Sequence, residues 1–346
     1  MKAIIVNGRF LLHSITGVER YAREILAELD LLAPPGEIEM AVPPEVKEIP
    51  AYKNIRAVRV GKLHDRLWEH ISFPAYVKKK NGISVNLCNV APLPDPGIVC
   101  LMDAKIKAHP EFYNKGFLLW YRLLYYNACS RAKHVVTISE FSKNELYRYF
   151  QIQPERITVI PCAWQHFERI GYDEAALERY GLEKGKYFFS LCSRDRNKNP
   201  EWIAEAAKRN PDSVFAVAGS VNPKVFAEGQ GYEFPDNLLF LGRVSDEEAK
   251  TLMRDCRAFL FPSFYEGFGI PPLEALSVGA SVVSSDTTSL PEVLQDSVHY
   301  IDPNHPDVDL ERLLREPVGP GEHALDRYSW KASAQKLYAI MDSIRG

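Results

Sequence analysis

The residues with the most chemistry to offer are two carboxylates separated by seven residues, Glu266 and Glu274, and a run of cations around Lys198. A carboxylate can accept hydrogen bonds from sugar or ribose hydroxyls, and it can steady positive charge that develops at a reacting carbon. Glu266 begins the run Glu266-Gly267-Phe268-Gly269, whose two glycines let the backbone approach a ligand closely. Pro271 and Pro272 follow and suit a first helical turn, which has no donors to lose. A helix beginning there offers free amides to a phosphate. Glu274 is expected in that first turn, where the helix dipole favours a carboxylate whether or not it binds anything.

The cations are Arg194, Arg196 and Lys198, between an apolar run at Tyr187 to Cys192 and the pair Asn199-Pro200. Asn199 reads as a helix cap with Pro200 at the first helical position. In a strand-helix unit that junction receives phosphates, and a Lys or Arg there adds a point or bidentate contact. Solvated surface charge would look the same in sequence. Lys198 is the first choice for a phosphate contact, and Arg194 the second.

The elements that must hold these residues alternate between apolar strands and helices, which implies parallel sheets. In the second half the expected strands are Tyr187 to Cys192, Val214 to Ala218, Leu238 to Leu241, Ala258 to Phe261 and Ser281 to Ser284. Glu266 then follows the carboxyl end of a strand, the edge at which open parallel sheets bind ligands. Ser245 to Glu248 has the form of a capping box, and Gly279 suits a helix end.

The first half reads similarly. Lys2 to Asn7 is a strand rather than a signal peptide, Gly8 to Ile15 a loop, and Thr16 with Glu19 a capping box for a helix. Ile98 to Leu101, Val135 to Ile138 and Ile157 to Ile160 are further strands. Gly116 to Ala128 carries large apolar residues on nearly all sides, which favours a buried core helix; a membrane-docking surface is the alternative.

The chain has 346 residues, enough for two domains, and its 46% hydrophobic and 25% charged residues are those of a globular protein. No apolar run approaches the roughly 20 residues of a membrane span. Six scattered cysteines without a Cys-x-x-Cys pair fit free thiols in a reducing cytoplasm better than disulfides or zinc. Residues 1–165 hold 22 Lys and Arg against 16 Asp and Glu, and the remainder 20 against 29. A basic first half suits an anionic partner such as a lipid diphosphate or an acidic membrane surface.

The stretch Pro-Ser-Phe-Tyr-Glu-Gly-Phe-Gly-Ile-Pro-Pro-Leu-Glu-Ala-Leu from Pro262, with Gly279 and Leu290-Pro291-Glu292-Val293 beyond it, resembles the signature of the family-4 retaining glycosyltransferases. Val-Thr-Ile-Ser-Glu-Phe-Ser-Lys from Val136 and Gly17-Val-Glu-Arg-Tyr are similar to that family as well. The resemblance implies an α/β architecture called GT-B, with two Rossmann-like parallel-sheet domains facing a cleft. It implies an acceptor-side domain over 1–165, a nucleotide-sugar domain over 166–327, and a helix over 328–346 packing back on the first.

By the same resemblance the reaction moves a sugar from a nucleotide diphosphate sugar to a hydroxyl of a glycan or polyprenyl-diphosphate-linked glycan, with retention and without a metal or other cofactor. GDP-mannose or a deoxysugar nucleotide is the favoured donor. Glu266 is implied as the catalytic residue near the donor sugar. Lys198, Arg194, Glu274, Phe268, Gly269, Ile270 and Gly17 are implied at the donor, with Arg20 as a weaker neighbour of Gly17, and Asp103 in the sugar or acceptor region. The chain departs from the pattern twice: Met102 takes a place relatives commonly give to a histidine, and Asn197 a place they often give to an arginine. His109 is expected to be a loop residue rather than a substitute. The expected location is the cytoplasm, with possible peripheral contact at the inner face of an anionic membrane and no nucleic-acid partner. The alternatives are an epimerase or phosphorylase on the same architecture, or a relative that binds sugar nucleotides without turnover.

Overall fold

The computed structural model describes residues 2–192, 195–220 and 234–346, and the chain divides into two compact units. Unit 1 comprises residues 1–162 with 329–346, and unit 2 comprises residues 163–328.

Unit 1 is built on a seven-stranded sheet of β1 (Ala3–Asn7), β2 (Ile38–Val42), β3 (Arg56–Arg59), β4 (Gly82–Asn86), β5 (Ile98–Cys100), β6 (His134–Thr137) and β7 (Ile157–Val159). The order is β3-β2-β1-β4-β5-β6-β7 and every pairing is parallel. Central strands of such a sheet are covered on both faces, so their sequences run apolar without alternation. Ile4, Ile5 and Val6 in β1 and Val99 in β5 are accordingly buried.

Unit 2 has a six-stranded sheet of β8 (Tyr187–Cys192), β9 (Val214–Gly219), β10 (Leu238–Gly242), β11 (Ala258–Phe261), β12 (Val282–Ser285) and β13 (His299–Ile301). Its order, β10-β9-β8-β11-β12-β13, is again parallel throughout and repeats the pattern of the first sheet. Phe188, Phe215, Trp202 and Leu260 form much of its core. Both units are therefore doubly wound α/β folds, each with one point where the strand order reverses. That point is between β1 and β4 in unit 1 and between β8 and β11 in unit 2.

Helices supply the crossovers. Gly17–Leu32 follows β1, and Glu19 reaches back to accept from the Thr16 amide at 3.1 Å, as its capping pattern predicts. The Trp330–Arg345 helix packs on Gly17–Leu32 within unit 1, where Trp330 meets Tyr21 edge-on at 6.0 Å. In unit 2, Pro200–Arg209 follows β8 with the Asn199 side chain accepting from the Trp202 amide at 3.2 Å.

Three local expectations need correction. Gly8 to Ile15 is not all loop, because Gly8–Leu12 forms a 3-10 turn capped by the Asn7 side chain. Glu274 is not in a first turn: its helix, Ile270–Ser277, starts at Ile270, which leaves the carboxylate one residue beyond the free amides. The Lys115–Arg131 helix is not wholly core. Leu124, Tyr125, Ala128 and Cys129 are buried, whereas Leu119 is 75%, Leu123 51% and Tyr126 48% exposed. A helix apolar on all sides still has one side turned inward when only one face meets a sheet.

Candidate functional site

In unit 2 the loops after β8 and β11 flank the reversal of strand order, the place where a parallel sheet leaves a crevice at its carboxyl edge. Asp195 caps a 3-10 turn, Arg196–Lys198, by accepting from the Asn197 amide at 3.1 Å. This turn aims Lys198 at the neighbouring loop. Its Nζ donates to Glu266 Oε1 at 2.6 Å and lies 4.8 Å from the centre of the Phe261 ring. The two side chains are 22% and 15% exposed, so each keeps a side open to solvent.

The loop bearing Glu266 is fixed by polar side chains that bond its backbone. Ser289 Oγ donates to the carbonyls of Glu266 at 2.9 Å and Phe268 at 3.1 Å, and Thr288 Oγ1 accepts from the Glu266 amide at 3.1 Å. Ser285 Oγ donates to Ser263 O at 2.8 Å. From the other side, Asn197 donates to Tyr265 O and Asn199 to Pro262 O at 3.1 Å. Asn199 also holds Pro303 O at 2.8 Å, from the left-handed backbone that its φ of 53° records. Loop carbonyls that would otherwise be orphaned are thus spoken for, and Glu266 projects from a rigid base.

Gly269 ends this loop with φ 105° and caps the Ile270–Ser277 helix. A Cβ there would come within 2.7 Å of Leu290, so backbone angle and space both require glycine. Phe268 and Ile270 are buried, and Phe268 packs edge-on against Tyr328 at 5.0 Å. Only their backbone can serve a ligand.

Glu274 meets a partner that the sequence did not announce. His166, in the short 3-10 turn Gln165–Arg169, brings Nε2 to 2.7 Å from Glu274 Oε1. The His166 side chain is 1% exposed, and the turn is anchored by Lys250, whose Nζ donates to the carbonyls of Phe167 and Ile170, each at 2.6 Å. Burial lowers the Lys250 pKa, with Glu168 opposing the shift, yet two carbonyls and the Tyr172 ring at 4.6 Å hold the ammonium in place. Nothing local marks His166; its partner is 108 positions away.

Of the other expected residues, Asn197 is buried with its amide committed to Tyr265, so it fastens the loop instead of replacing an arginine. Arg194 lies outside the described residues. Among the described residues, no three His, Cys, Asp or Glu side chains gather as a metal site would need.

Unit 1 carries the remaining expected residues. Gly17 is the exposed first residue of its helix, and Asp103 accepts from the Lys105 amide at 2.9 Å. Met102 is buried, its amide bonded to Asn89 Oδ1 at 2.7 Å, so it packs where a histidine would reach outward. His109 ends a short helix, stacked on Phe112 at 5.2 Å.

A scan against family models matches residues 173–316 to Glycosyl transferases group 1 and residues 95–164 to Glycosyltransferase Family 4. O-antigen chain mannosyltransferase B of Escherichia coli is 30% identical over 230 residues, covering 62% of this chain and 59% of that protein. The chain therefore spans about three fifths of that relative's length. Among solved structures, sucrose-phosphate synthase of Thermosynechococcus elongatus aligns with a TM-score of 0.76 at 16% identity, covering 99% of each chain. Anabaena HepE, in complex with UDP and glucose, aligns with a TM-score of 0.68 at 13% identity, covering 99% of this chain and 100% of its own. Likeness at that identity establishes the fold these chains share, GT-B.

Proposed function

We propose, for a chain that belongs to the group 1 and family 4 glycosyltransferases, that the unit 2 crevice binds a nucleotide diphosphate sugar and passes its sugar to a hydroxyl with retention. The observation that carries this reading is the Lys198–Glu266 pair at the reversal of strand order. A cation and a carboxylate side by side match the two ends of such a donor, an anionic diphosphate and a hydroxylated sugar. When the diphosphate arrives, Lys198 turns to it and releases Glu266 to the sugar hydroxyls. The amides of Ile270 and Leu273, the two that Pro271 and Pro272 leave in the first turn, add to the anion's cradle, and Glu274, steadied by His166, takes the ribose. Arg194 is a further donor contact in this reading.

The acceptor oxygen attacks the anomeric carbon on the face from which the diphosphate departs. The acceptor's proton passes to the leaving phosphate oxygen as the bond from carbon to phosphate oxygen breaks. Glu266 stabilises the positive charge that develops on the sugar, and Lys198 the negative charge on the diphosphate, with no metal needed. The mannosyl transfer and O-antigen chain named for the Escherichia coli relative support mannose as the sugar moved and a surface-polysaccharide glycan as acceptor, and GDP-mannose is the donor this reading favours.

Among the described residues no helix is long and apolar enough to cross a membrane. The outward residues Leu119, Leu123 and Tyr126, with exposed Lys115 and Lys133 nearby in sequence, support peripheral contact with an anionic membrane at the cytoplasmic face. Sugar release from a panel of nucleotide sugars, with and without a lipid-linked glycan, tests the whole reading. GDP-mannose should be consumed fastest and only with acceptor present. Consumption of no nucleotide sugar, alongside unchanged binding of free nucleoside and nucleoside diphosphate in Lys198→Ala, would overturn it.

A further inference from the structure

Strands β1 and β2 are parallel neighbours in unit 1, and a cavity of about 520 Å³ opens between the segments that follow them. That volume lies within the range of roughly 300–1,000 Å³ usual for small-ligand sites. Its apolar wall is Leu11 and Leu12 from the turn after β1, with Val46, Ile49 and Pro50 from the segment after β2. It shares no lining residue with the cavity beside the reversal of strand order, where Glu69 is buried 3.3 Å from Arg9 Nη1.

The Gly17–Leu32 helix gives this cavity a cation, Arg23. The guanidinium carbon lies 6.0 Å from the centre of the Phe10 ring, and Nε is buried with no hydrogen-bond partner. Among the described residues no carboxylate pairs with it, because those around it are engaged elsewhere. Glu19, one turn earlier, accepts from the Thr16 amide. Asp30 accepts from the amides of Lys53, Asn54 and Ile55, each at 2.7 Å. Glu45 lines the cavity but has both oxygens occupied, one by the Asp65 amide at 2.7 Å and one by His64 Nδ1 at 3.1 Å.

The segment after β2 adds donors. Arg59 Nη2 fastens its start by donating to Val46 O at 2.9 Å. The next three amides, of Lys47, Glu48 and Ile49, donate to no other group among the described residues. Successive uncommitted amides beside a guanidinium are the parts of an anion-binding concavity. Glu48, the remaining carboxylate of the lining, is exposed, so water weakens its repulsion, and the exposed Lys47 beside it carries the opposite charge.

A neutral ligand or an apolar chain would leave the Arg23 charge unanswered, and a cation would be repelled by it. A carboxylate brings two oxygens and one charge to this set of donors. A phosphate monoester brings three terminal oxygens and close to two charges, and its organic body has the apolar wall to rest on. We propose that this cavity is a binding site for a phosphate monoester, with Arg23 and the amides of residues 47–49 as its anion contacts. The site is separate from the unit 2 crevice and does not depend on the transfer reading.

Amide NMR spectra of the full chain, recorded in phosphate-free buffer with GDP in excess, can follow a titration with glycerol 3-phosphate and, separately, with glycerol. The signals of Lys47, Glu48 and Ile49 should move saturably with the first and not with the second. Arg23→Gln keeps a polar stem and loses the charge, and it should weaken glycerol 3-phosphate by about tenfold or more, as expected for a charge-assisted contact. Its GDP affinity should match that of the unaltered chain. Dihexanoyl phosphatidate, titrated beside glycerol 3-phosphate, tells a lipid headgroup from a free organic phosphate: clearly tighter binding assigns the headgroup, equal or weaker binding the free ester, and each supports the site. Shifts confined to the unit 2 loops, equal shifts from glycerol, or unchanged affinity in Arg23→Gln would overturn it. The comparison of ester with glycerol needs no variant, so it decides even if Arg23→Gln does not fold. Because the signals are assigned by residue, failure of GDP to bind would remove the transfer reading and leave this test intact.

Discussion

The two sheets share one strand order, yet the loops at their reversals carry different side chains. In unit 2 the crevice carries a cation from the loop after β8 held at 2.6 Å to a carboxylate from the loop after β11, which serine, threonine and asparagine side chains fasten. In unit 1 the same place holds a cavity with a column of aromatic rings and a carboxylate buried against Arg9. Topology decides where a ligand goes, and the loop residues decide what it is. The unit 2 crevice suits an ionic guest that trades places with an internal ion pair.

The largest effect should come from Glu266→Gln. If its interaction strengthens in the transition state, turnover should fall on the order of a hundredfold or more. Affinity for a nucleoside diphosphate should hold or rise by a few-fold, because Lys198 is then no longer claimed by a carboxylate. Steady-state kinetics with a nucleotide titration measures both. A loss of nucleotide affinity with turnover intact would mean that the pair stabilises the loop and takes no part in the reaction.

Next is Lys198→Ala, expected to weaken nucleoside diphosphate by about 1.5–3 kcal/mol, the range of a charge-assisted contact. The free nucleoside should bind nearly as before. Equal losses for nucleoside and diphosphate by calorimetry would remove the anionic guest from unit 2, and with it the contrast between the crevices.

Those two residues were legible because their signals are local: glycines beside Glu266, a capped helix start beside Lys198. Strands β8, β9 and β11 announced themselves by apolar runs that a doubly covered sheet needs. What could not be read was contact across the chain. The pairing of Lys198 with Glu266 spans 68 positions and that of His166 with Glu274 spans 108, and no periodicity encodes either. Nothing in the sequence set Glu69 apart, because only β1 and β4 coming together give it Asn7 as a partner, with Asn86 beside it. Glu274 was expected in the first turn and lies one residue past it, since tandem prolines mark the start of a helix only to within a residue or two. The Lys115–Arg131 helix misled for a different reason, its outward face being as apolar as its inward one.

A smaller effect is expected at His166. His166→Ala should raise the donor Michaelis constant roughly fivefold, about 1 kcal/mol, while turnover stays within about twofold. His166→Gln places an amide near the position of Nε2 and should recover most of the loss, which a purely structural role in packing the turn would not predict. Thermal melting of both variants separates the outcomes. If glutamine behaves like alanine and both melt early, His166 supports the fold and leaves Glu274 to orient itself.

The smallest expected effect is none. Chelation with EDTA should leave transfer unchanged, because Lys198 and the amides behind Gly269 supply the positive charge a departing diphosphate requires. A divalent ion in unit 2 would compete with Lys198 for the same phosphate oxygens. The measurement is initial rate against chelator concentration, followed by added magnesium or manganese. A rate that vanishes with EDTA and returns with either ion would give the charge-balancing role to a metal held by the substrate's own phosphates. Lys198 would then serve chiefly to position Glu266, and its alanine variant should lose turnover more than nucleotide affinity.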